Sequence, residues 1–104
     1  MEELEVSWGK LFIVGVTKKF SIGIDIVHPQ KETDKKGAYL RRGKGTYYVL
    51  EGNGLCGEKP IKKGDVLKIR EDQKINLKNN SFNNLVVMTI YVPPYNENNI
   101  GYKT

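Results

Sequence analysis

The sequence predicts an all-β fold, a single antiparallel barrel or jelly roll, and three observations support this prediction. Short apolar, β-branched segments recur along the chain, with turn residues such as Gly52 and Gly64 between them. No segment keeps the helical period over ten or more residues. The 104 residues contain no linker, which predicts one domain over residues 1–104, with residues 1–8 and 95–104 at its periphery.

Alternation of side-chain character identifies individual strands. In residues 20–27 the even positions are apolar, whereas the odd positions 21 to 25 carry Ser21, Gly23 and Asp25. Residues 74–78 alternate in the same way, as expected for a strand with two different faces. Strands are predicted, in order, at residues 11–16, 20–27, 38–40, 46–51, 55–58, 66–69, 74–78 and 85–92.

Glycine and proline residues separate these strands. Residues 43–45 are predicted to form a turn or bulge, and residues 52–54 a hairpin turn. His28-Pro29-Gln30 is predicted to end the strand at residues 20–27, because proline cannot donate a ladder hydrogen bond. Lys59-Pro60 follows the short strand predicted at residues 55–58. These turns leave no room for a helix of consequence.

Composition excludes several classes of protein. No apolar run approaches the ~20 residues of a membrane helix, and the acidic start lacks the basic, then apolar, pattern of a secretory signal. With one cysteine, Cys56, no intramolecular disulfide is possible, and a cytoplasmic location is expected.

Charge gives a weaker indication of partners. The net charge is +5, and much of it lies in residues 31–44. A basic segment can attract phosphate, sugar nucleotide or nucleic acid, or it can be a solvated loop. Because the aromatic interleaving of single-strand binders is missing, nucleic acid is not expected as a partner.

The chain between residues 22 and 94 resembles the cupin superfamily, whose fold is a double-stranded β-helix. Members show an aromatic-rich strand ending in a VLEG turn, a proline-containing hairpin, a GD pair entering another strand and a later asparagine. The corresponding residues here are Tyr47-Tyr48-Val49-Leu50-Glu51-Gly52, Lys59-Pro60, Gly64-Asp65 and Asn79. Trp8-Gly9-Lys10 loosely resembles the entry strand of sugar-phosphate-isomerase-like cupins, or Trp8 caps one end of the barrel.

The resemblance does not extend to the metal ligands of the family. Carried over by spacing, the glutamate position is Gly45, the two early histidine positions fall at or near Tyr39 and Arg41, and the late histidine position is Ile75. Metal sites of this kind use imidazole and carboxylate. The sequence therefore predicts no metal and no cofactor in the usual cupin site.

The same register predicts a pocket in the barrel. It places six residues inward: Tyr39, Arg41, Tyr47, Val49, Ile75 and Leu77. Tyr39, Arg41, Tyr47, Ile75 and Leu77 are the predicted ligand-binding residues, since phenols and a guanidinium suit a carboxylate, phosphate or sugar hydroxyl. Alternatively the two tyrosines plug the barrel, and Arg41 pairs with Glu51 or Asp25.

Three functions remain open. The first is metal-independent binding of a small anionic or sugar-like ligand in the barrel, which makes a non-enzymatic role the favoured one. The second is a sugar or sugar-nucleotide isomerase or epimerase, with His28 as the only histidine that could act as base. The third is a non-catalytic homodimerisation module. Cys56 needs no chemical role as a small apolar residue.

A homodimer is expected in each case. An open jelly-roll sheet leaves edge strands to be covered, and two-fold pairing is the commonest solution. Residues 11–16 and 85–92 are the candidates for the contact. Cupins often dimerise, so the resemblance points in the same direction.

Overall fold

The computed structural model describes residues 1–33 and 37–102 as an antiparallel β-structure. Residues 34–36 of the basic segment and residues 103–104 of the tail lie outside the described residues. The strands are β1 (Glu2–Val6), β2 (Gly9–Val16), β3 (Ser21–Val27), β4 (Ala38–Leu40), β5 (Lys44–Glu51), β6 (Asn53–Cys56), β7 (Lys59–Lys62), β8 (Val66–Ile69), β9 (Leu77–Lys78), β10 (Leu85–Val92) and β11 (Ile100–Tyr102), with a 3₁₀ turn at Glu97–Asn99 before β11. The predicted all-β jelly roll is confirmed.

Two layers of strands form the barrel. The larger sheet has six strands in the order β1-β2-β3-β10-β5-β8. Facing it are the three-stranded sheet β7-β6-β9 and the pair β11-β4. Isolated bridges, Tyr39 with Lys74 and Glu32 with Lys78, connect these two small sheets into one layer.

The core lies between the layers. From the larger sheet it takes Val27, Val49, Val87, Leu85 and Ile69, and from the opposite layer Leu77, Ile75, Ala38 and Leu40. Asn79 is fully buried among them, and its amide donates to the carbonyls of Val27 (2.8 Å) and Asn83 (2.7 Å). These bonds satisfy an otherwise costly polar group and hold the β9–β10 connection against β3.

Several predicted boundaries need correction. The turn at residues 52–54 is Gly52 alone, at a φ of +81°, and β6 begins at Asn53. Pro60 lies within β7 and pairs with Leu55, which is possible because β7 is an edge strand and a proline there sacrifices no ladder bond. In residues 74–78 only Leu77–Lys78 forms a strand.

The described residues near each end of the chain, which were expected at the periphery, form the strands β1 and β11. β1 pairs with β2 along its whole length. β11 pairs with β4, and the ring of Tyr39 lies so close to Gly101 that a side chain at position 101 would meet its atoms at 2.3 Å. Among the described residues, no helix is both long and apolar enough to span a membrane.

Candidate functional site

A cavity of about 300 Å³ opens on the inner face of the larger sheet, over β1, β2, β3 and β10. Apolar side chains from the first hairpin form most of its wall: Leu4, Trp8, Leu11 and Ile13. Gly23 contributes no side chain. A methyl group there would contact the Phe12 carbonyl oxygen at 3.2 Å and the Thr89 hydroxyl at 3.3 Å. The cavity therefore has its depth because residue 23 is glycine.

A row of polar side chains crosses the same face. Ser21 and Asp25 come from β3, and Thr89 and Tyr91 from β10. The strand pairing brings them together, because Tyr91 lies opposite Ser21 and Thr89 lies opposite Gly23. Thr89 is 3% exposed and Ser21 is 7% exposed. Among the described lining residues Asp25 is the one charged side chain.

The phenol of Tyr91 contacts a second phenol, that of Tyr47. The hydroxyl groups of Tyr47 and Tyr91 form a hydrogen bond, and their rings meet edge to face with centroids 5.9 Å apart. Burial, and then the nearby Tyr91, raise the pKa of Tyr47 well above its usual value, and Asp25 adds to this effect. Tyr47 is therefore a neutral phenol at physiological pH and fixes the position of Tyr91.

Tyr95 connects this cavity to a second hollow. Its N–H donates to the Ser21 hydroxyl (2.8 Å), and its ring centroid lies 5.6 Å from that of Tyr91. On its other side Tyr95 lines a surface hollow of about 470 Å³. The two arginines Arg41 and Arg42 line that hollow together with Asn98 and Asn99.

Comparison with solved structures identifies the architecture. A Streptomyces nucleoside dehydratase solved with uridine matches with a TM-score of 0.75 and 18% identity, over 99% of this chain and 84% of that one. A Klebsiella pneumoniae protein with a double-stranded β-helix domain matches with a TM-score of 0.73 and 16% identity, over 99% and 85%. A sugar phosphate isomerase of the cupin superfamily from Silicibacter pomeroyi matches with a TM-score of 0.67 and 14% identity, over 80% and 58%. This chain has the cupin fold.

Neither the known family models nor the curated proteins contain a match to this sequence. At identities of 14–18% the likeness concerns the cupin fold alone. The resemblance read from the VLEG turn and the GD pair is therefore confirmed at the level of the fold.

The structure shows the surroundings of the residues to which the sequence resemblance assigned metal-ligand positions. Gly45 is buried and lies opposite Tyr91, and Ile75 is 4% exposed in the core. Tyr39 is half-buried, and Arg41 is exposed. Over residues 1–33 and 37–102, no three His, Cys, Asp or Glu side chains come together as a metal site. Metal independence stays a prediction.

The predicted ligand-binding residues do not form one pocket. Tyr47, Ile75 and Leu77 are buried in the core at 2%, 4% and 1% exposure, as their inward orientation predicted. Tyr39 and Arg41 are not inward, and that prediction is wrong. In β4 the buried residues are Ala38 and Leu40, so Tyr39 faces the other way, and Arg41 follows the strand at the surface.

Two further residues were considered as reactive groups. His28 is exposed at the end of β3, and its backbone N–H donates to the Trp8 carbonyl (2.9 Å). Cys56 is 4% exposed, and burial raises the pKa of its thiol to about 11. The thiol is therefore protonated at neutral pH, which makes it a poor nucleophile.

Sequence reasoning considered Asp25 only as a partner for Arg41 and missed that Asp25, Thr89 and Tyr91 line one cavity. The signal was present in the alternation of residues 20–27, where Ser21, Gly23 and Asp25 share one face. Polar side chains on a strand are ordinarily assigned to the solvent face. Only the pairing of β3 with β10 shows that they face the cavity.

Proposed function

We propose that this protein binds a small sugar-like molecule, such as a sugar or a nucleoside, in the barrel cavity and does so without a metal ion. The observation that carries the proposal is the row of Ser21, Asp25, Thr89 and Tyr91 facing a cavity of about 300 Å³ whose other walls are apolar. Ligand sites commonly combine apolar walls with a few convergent polar groups.

The chemistry of the lining favours hydroxyl groups over anions. The Asp25 carboxylate accepts hydrogen bonds, and the hydroxyls of Thr89 and Tyr91 both donate and accept. The cavity lining includes this carboxylate and, among the described residues, no lysine or arginine. A ligand in the cavity is therefore expected to be neutral, with its ring against Trp8 and its hydroxyls toward Asp25.

Two structural neighbours agree with this ligand class. The nucleoside dehydratase was solved with uridine, and a second neighbour is a sugar phosphate isomerase. Both act on molecules with a sugar ring, and both share the cupin fold. They support a sugar-like ligand here, while the ligand itself is identified by the experiment below.

Catalysis on such a ligand is the second candidate, favoured by one specific observation. Asp25 and Tyr91, a carboxylate and a phenol, line the same cavity, and Tyr47 orients the phenol by a hydrogen bond. A carboxylate can take a proton from a sugar carbon while a phenol donates one to a sugar oxygen. This arrangement suits an isomerase or epimerase in which His28 takes no part in catalysis.

The binding proposal is tested by calorimetric titration with uridine, thymidine, glucose and glucose 6-phosphate. Tyr91→Phe is expected to weaken binding about tenfold, since one hydrogen bond to a ligand is worth about 1.4 kcal/mol. Tyr48→Phe is the matched control, because Tyr48 lies on the outer face of the same sheet and is 41% exposed. Gly23→Val fills the cavity and is expected to abolish binding.

The result that contradicts the proposal is binding that Gly23→Val leaves unchanged, or no binding by any of the four probes. Catalysis is tested separately, by proton exchange from the probes in deuterated water. Loss of exchange in Asp25→Asn, with binding retained, supports the isomerase or epimerase alternative. Wild-type protein that binds and exchanges nothing excludes it.

A further inference from the structure

The surface hollow beside the barrel cavity contains two adjacent arginines. Arg41 and Arg42 both line it, and neither guanidinium pairs with a carboxylate of a described residue. The lining otherwise consists of Pro93, Pro94, Tyr95 and three asparagines. The nearby Glu71 carboxylate accepts the Gly43 N–H (2.8 Å) and forms no ion pair with either arginine. Two adjacent cations with amide neighbours and no ion pair to a described carboxylate are suited to an anion from outside.

The backbone that presents the two arginines is held in place. Asn99 accepts the Arg41 N–H with its own carbonyl (2.8 Å) and the Arg42 N–H with its side-chain oxygen (3.2 Å). The Asn99 side-chain amide then donates to the Arg42 carbonyl (2.9 Å). Three hydrogen bonds to one residue fix this segment against the turn that precedes β11. Such fixing lowers the ordering cost of binding an anion there.

The hollow and the barrel cavity adjoin each other, since Tyr95 lines both. Their chemistry differs sharply. The barrel cavity has apolar walls, hydroxyls and the Asp25 carboxylate, whereas the hollow has two guanidinium groups. A ligand that occupies both must be neutral at one end and anionic at the other.

We propose that the Arg41–Arg42 hollow binds the phosphate of a ligand whose sugar ring occupies the barrel cavity, so that the ligand is a sugar phosphate or a nucleotide. This inference rests on the proposed function of the cavity. Arginine pairs are the preferred partners of phosphate, because the planar guanidinium donates two parallel hydrogen bonds to its oxygens. Tyr95 lies where the ring and the phosphate are joined.

The test compares ligands that differ by a phosphate alone, namely uridine with uridine 5′-monophosphate and glucose with glucose 6-phosphate. In the wild-type protein the phosphorylated partner of at least one pair is expected to bind tenfold or more tightly. In the double variant Arg41→Gln/Arg42→Gln this gain falls to about onefold, and affinity for the unphosphorylated partner stays the same. Arg70→Gln, an exposed arginine beyond β8, is the matched control and keeps the gain.

Each outcome of this comparison either supports or overturns the phosphate inference. If an unphosphorylated ligand binds and its phosphorylated partner gains nothing, or if the gain survives in the double variant, the phosphate inference is overturned while the cavity proposal stands. If no member of either pair binds, both fail. A titration with inorganic phosphate followed by NMR adds a direct readout, in which saturable shifts of the Arg41, Arg42 and Asn98 amides are expected and their absence counts against the site.

Discussion

The two faces of the six-stranded sheet differ in a way that reverses the usual pattern. On its inner face, β3 carries Ser21 and Asp25, and β10 carries Thr89 and Tyr91. On its outer face the paired positions are Ile22 with Ile90 and Ile24 with Met88. An antiparallel sheet normally packs its apolar face inward and turns its polar face to water.

The inner face of β3 and β10 is polar only along part of these strands, beside the cavity. Toward the other end of the same strands the inner residues are Val27, Leu85 and Val87, each fully buried in the core. On β3 and β10, polar side chains thus face inward only where the barrel is hollow. The comparison teaches that the polar inner row coincides with the cavity proposed above as a ligand site, whereas the apolar outer row forms an exposed surface of the kind that often contacts a partner.

We expect a second copy of the chain to cover the outer face. Tyr48 and Val66 are 41% and 53% exposed there and continue the apolar row across β5 and β8. One edge of this face is acidic, with Glu3 and Glu5 on β1, and the opposite edge carries Lys68 on β8. A two-fold axis parallel to the strands places each acidic edge over the basic edge of the other copy.

The largest effect is expected from a charge on the packed part of the inner face. Val87→Asp places a carboxylate at a fully buried position with no partner, which costs several kcal/mol. Since a domain is stable by only about 5–15 kcal/mol, we expect the variant to be largely unfolded by circular dichroism. A cooperative melt within a few degrees of wild type contradicts the assignment of this face.

The same charge one residue along the chain is expected to act on assembly instead. Met88→Asp lies on the outer face, so the fold is retained, while the dimer constant weakens at least ~100-fold, or about 3 kcal/mol. Sedimentation equilibrium measures the change. A wild-type protein that is monomeric at tens of micromolar, or a variant that dimerises as well as wild type, counts against the outer face as a dimer contact.

The buried thiol on the opposite layer gives a pH effect of intermediate size. The pKa of Cys56 is about 11 in the folded state and about 9 when the thiol is exposed. As the pH rises, the Cys56 thiol therefore loses its proton at a lower pH in the unfolded chain than in the folded protein. The contribution of Cys56 to the free energy of unfolding is fully present below pH 9 and declines between pH 9 and pH 11. Two units correspond to about 2–3 kcal/mol, measured by urea unfolding at pH 7, 9 and 10.5. Cys56→Ala is expected to flatten the decline, and an equal decline in both proteins refutes this origin.

The smallest effect on the free energy of unfolding is expected from removing one tyrosine hydroxyl from the inner or the outer face of the six-stranded sheet. Tyr47→Phe deletes the hydrogen bond to Tyr91 in a buried site and is expected to cost about 1 kcal/mol of unfolding free energy. Tyr48→Phe, its neighbour on the outer face, is expected to change stability by less than ~0.5 kcal/mol. Urea titrations at neutral pH measure both. If the two substitutions lower the free energy of unfolding equally, the assignment of Tyr47 to the inner face and Tyr48 to the outer face is contradicted.

Much of the strand pattern could be predicted from local signals. The bounds of Ala38–Leu40, Val66–Ile69 and Leu85–Val92 agree with prediction, because each is a short β-rich segment with turn residues on either side. β1, β7 and β11 were missed, β7 because Pro60 lies within it. The charges of β1 hide its single pairing with β2, and β11 is stabilised by its distant partner β4 and not by its own composition.

The candidate site was harder to predict than the strands. Alternation in the sequence shows that a strand has two different faces, but it does not show which face points inward. Around β4 the parity of Tyr39 and Arg41 was assigned the wrong way, and one residue of register exchanges every side chain between faces. For β3 the parity was visible, yet the general rule assigns Asp25 to solvent. Only the distant partner strands, β2 and β10, determine that it faces the cavity.

One wall of the cavity includes a residue of β1, an exposed edge strand of the large sheet. β1 has β2 as its single strand partner, most of its residues are exposed, and it still contributes Leu4 to the lining. Segments with few buried contacts open at low free energy, long before the whole molecule unfolds. We therefore expect fraying of β1 to open a route between the cavity and solvent, and the frequency of this opening to limit the residence time of a bound ligand. Hydrogen exchange of the β1 amides should accordingly slow when the cavity is filled, and unchanged exchange would show that the ligand enters by another route.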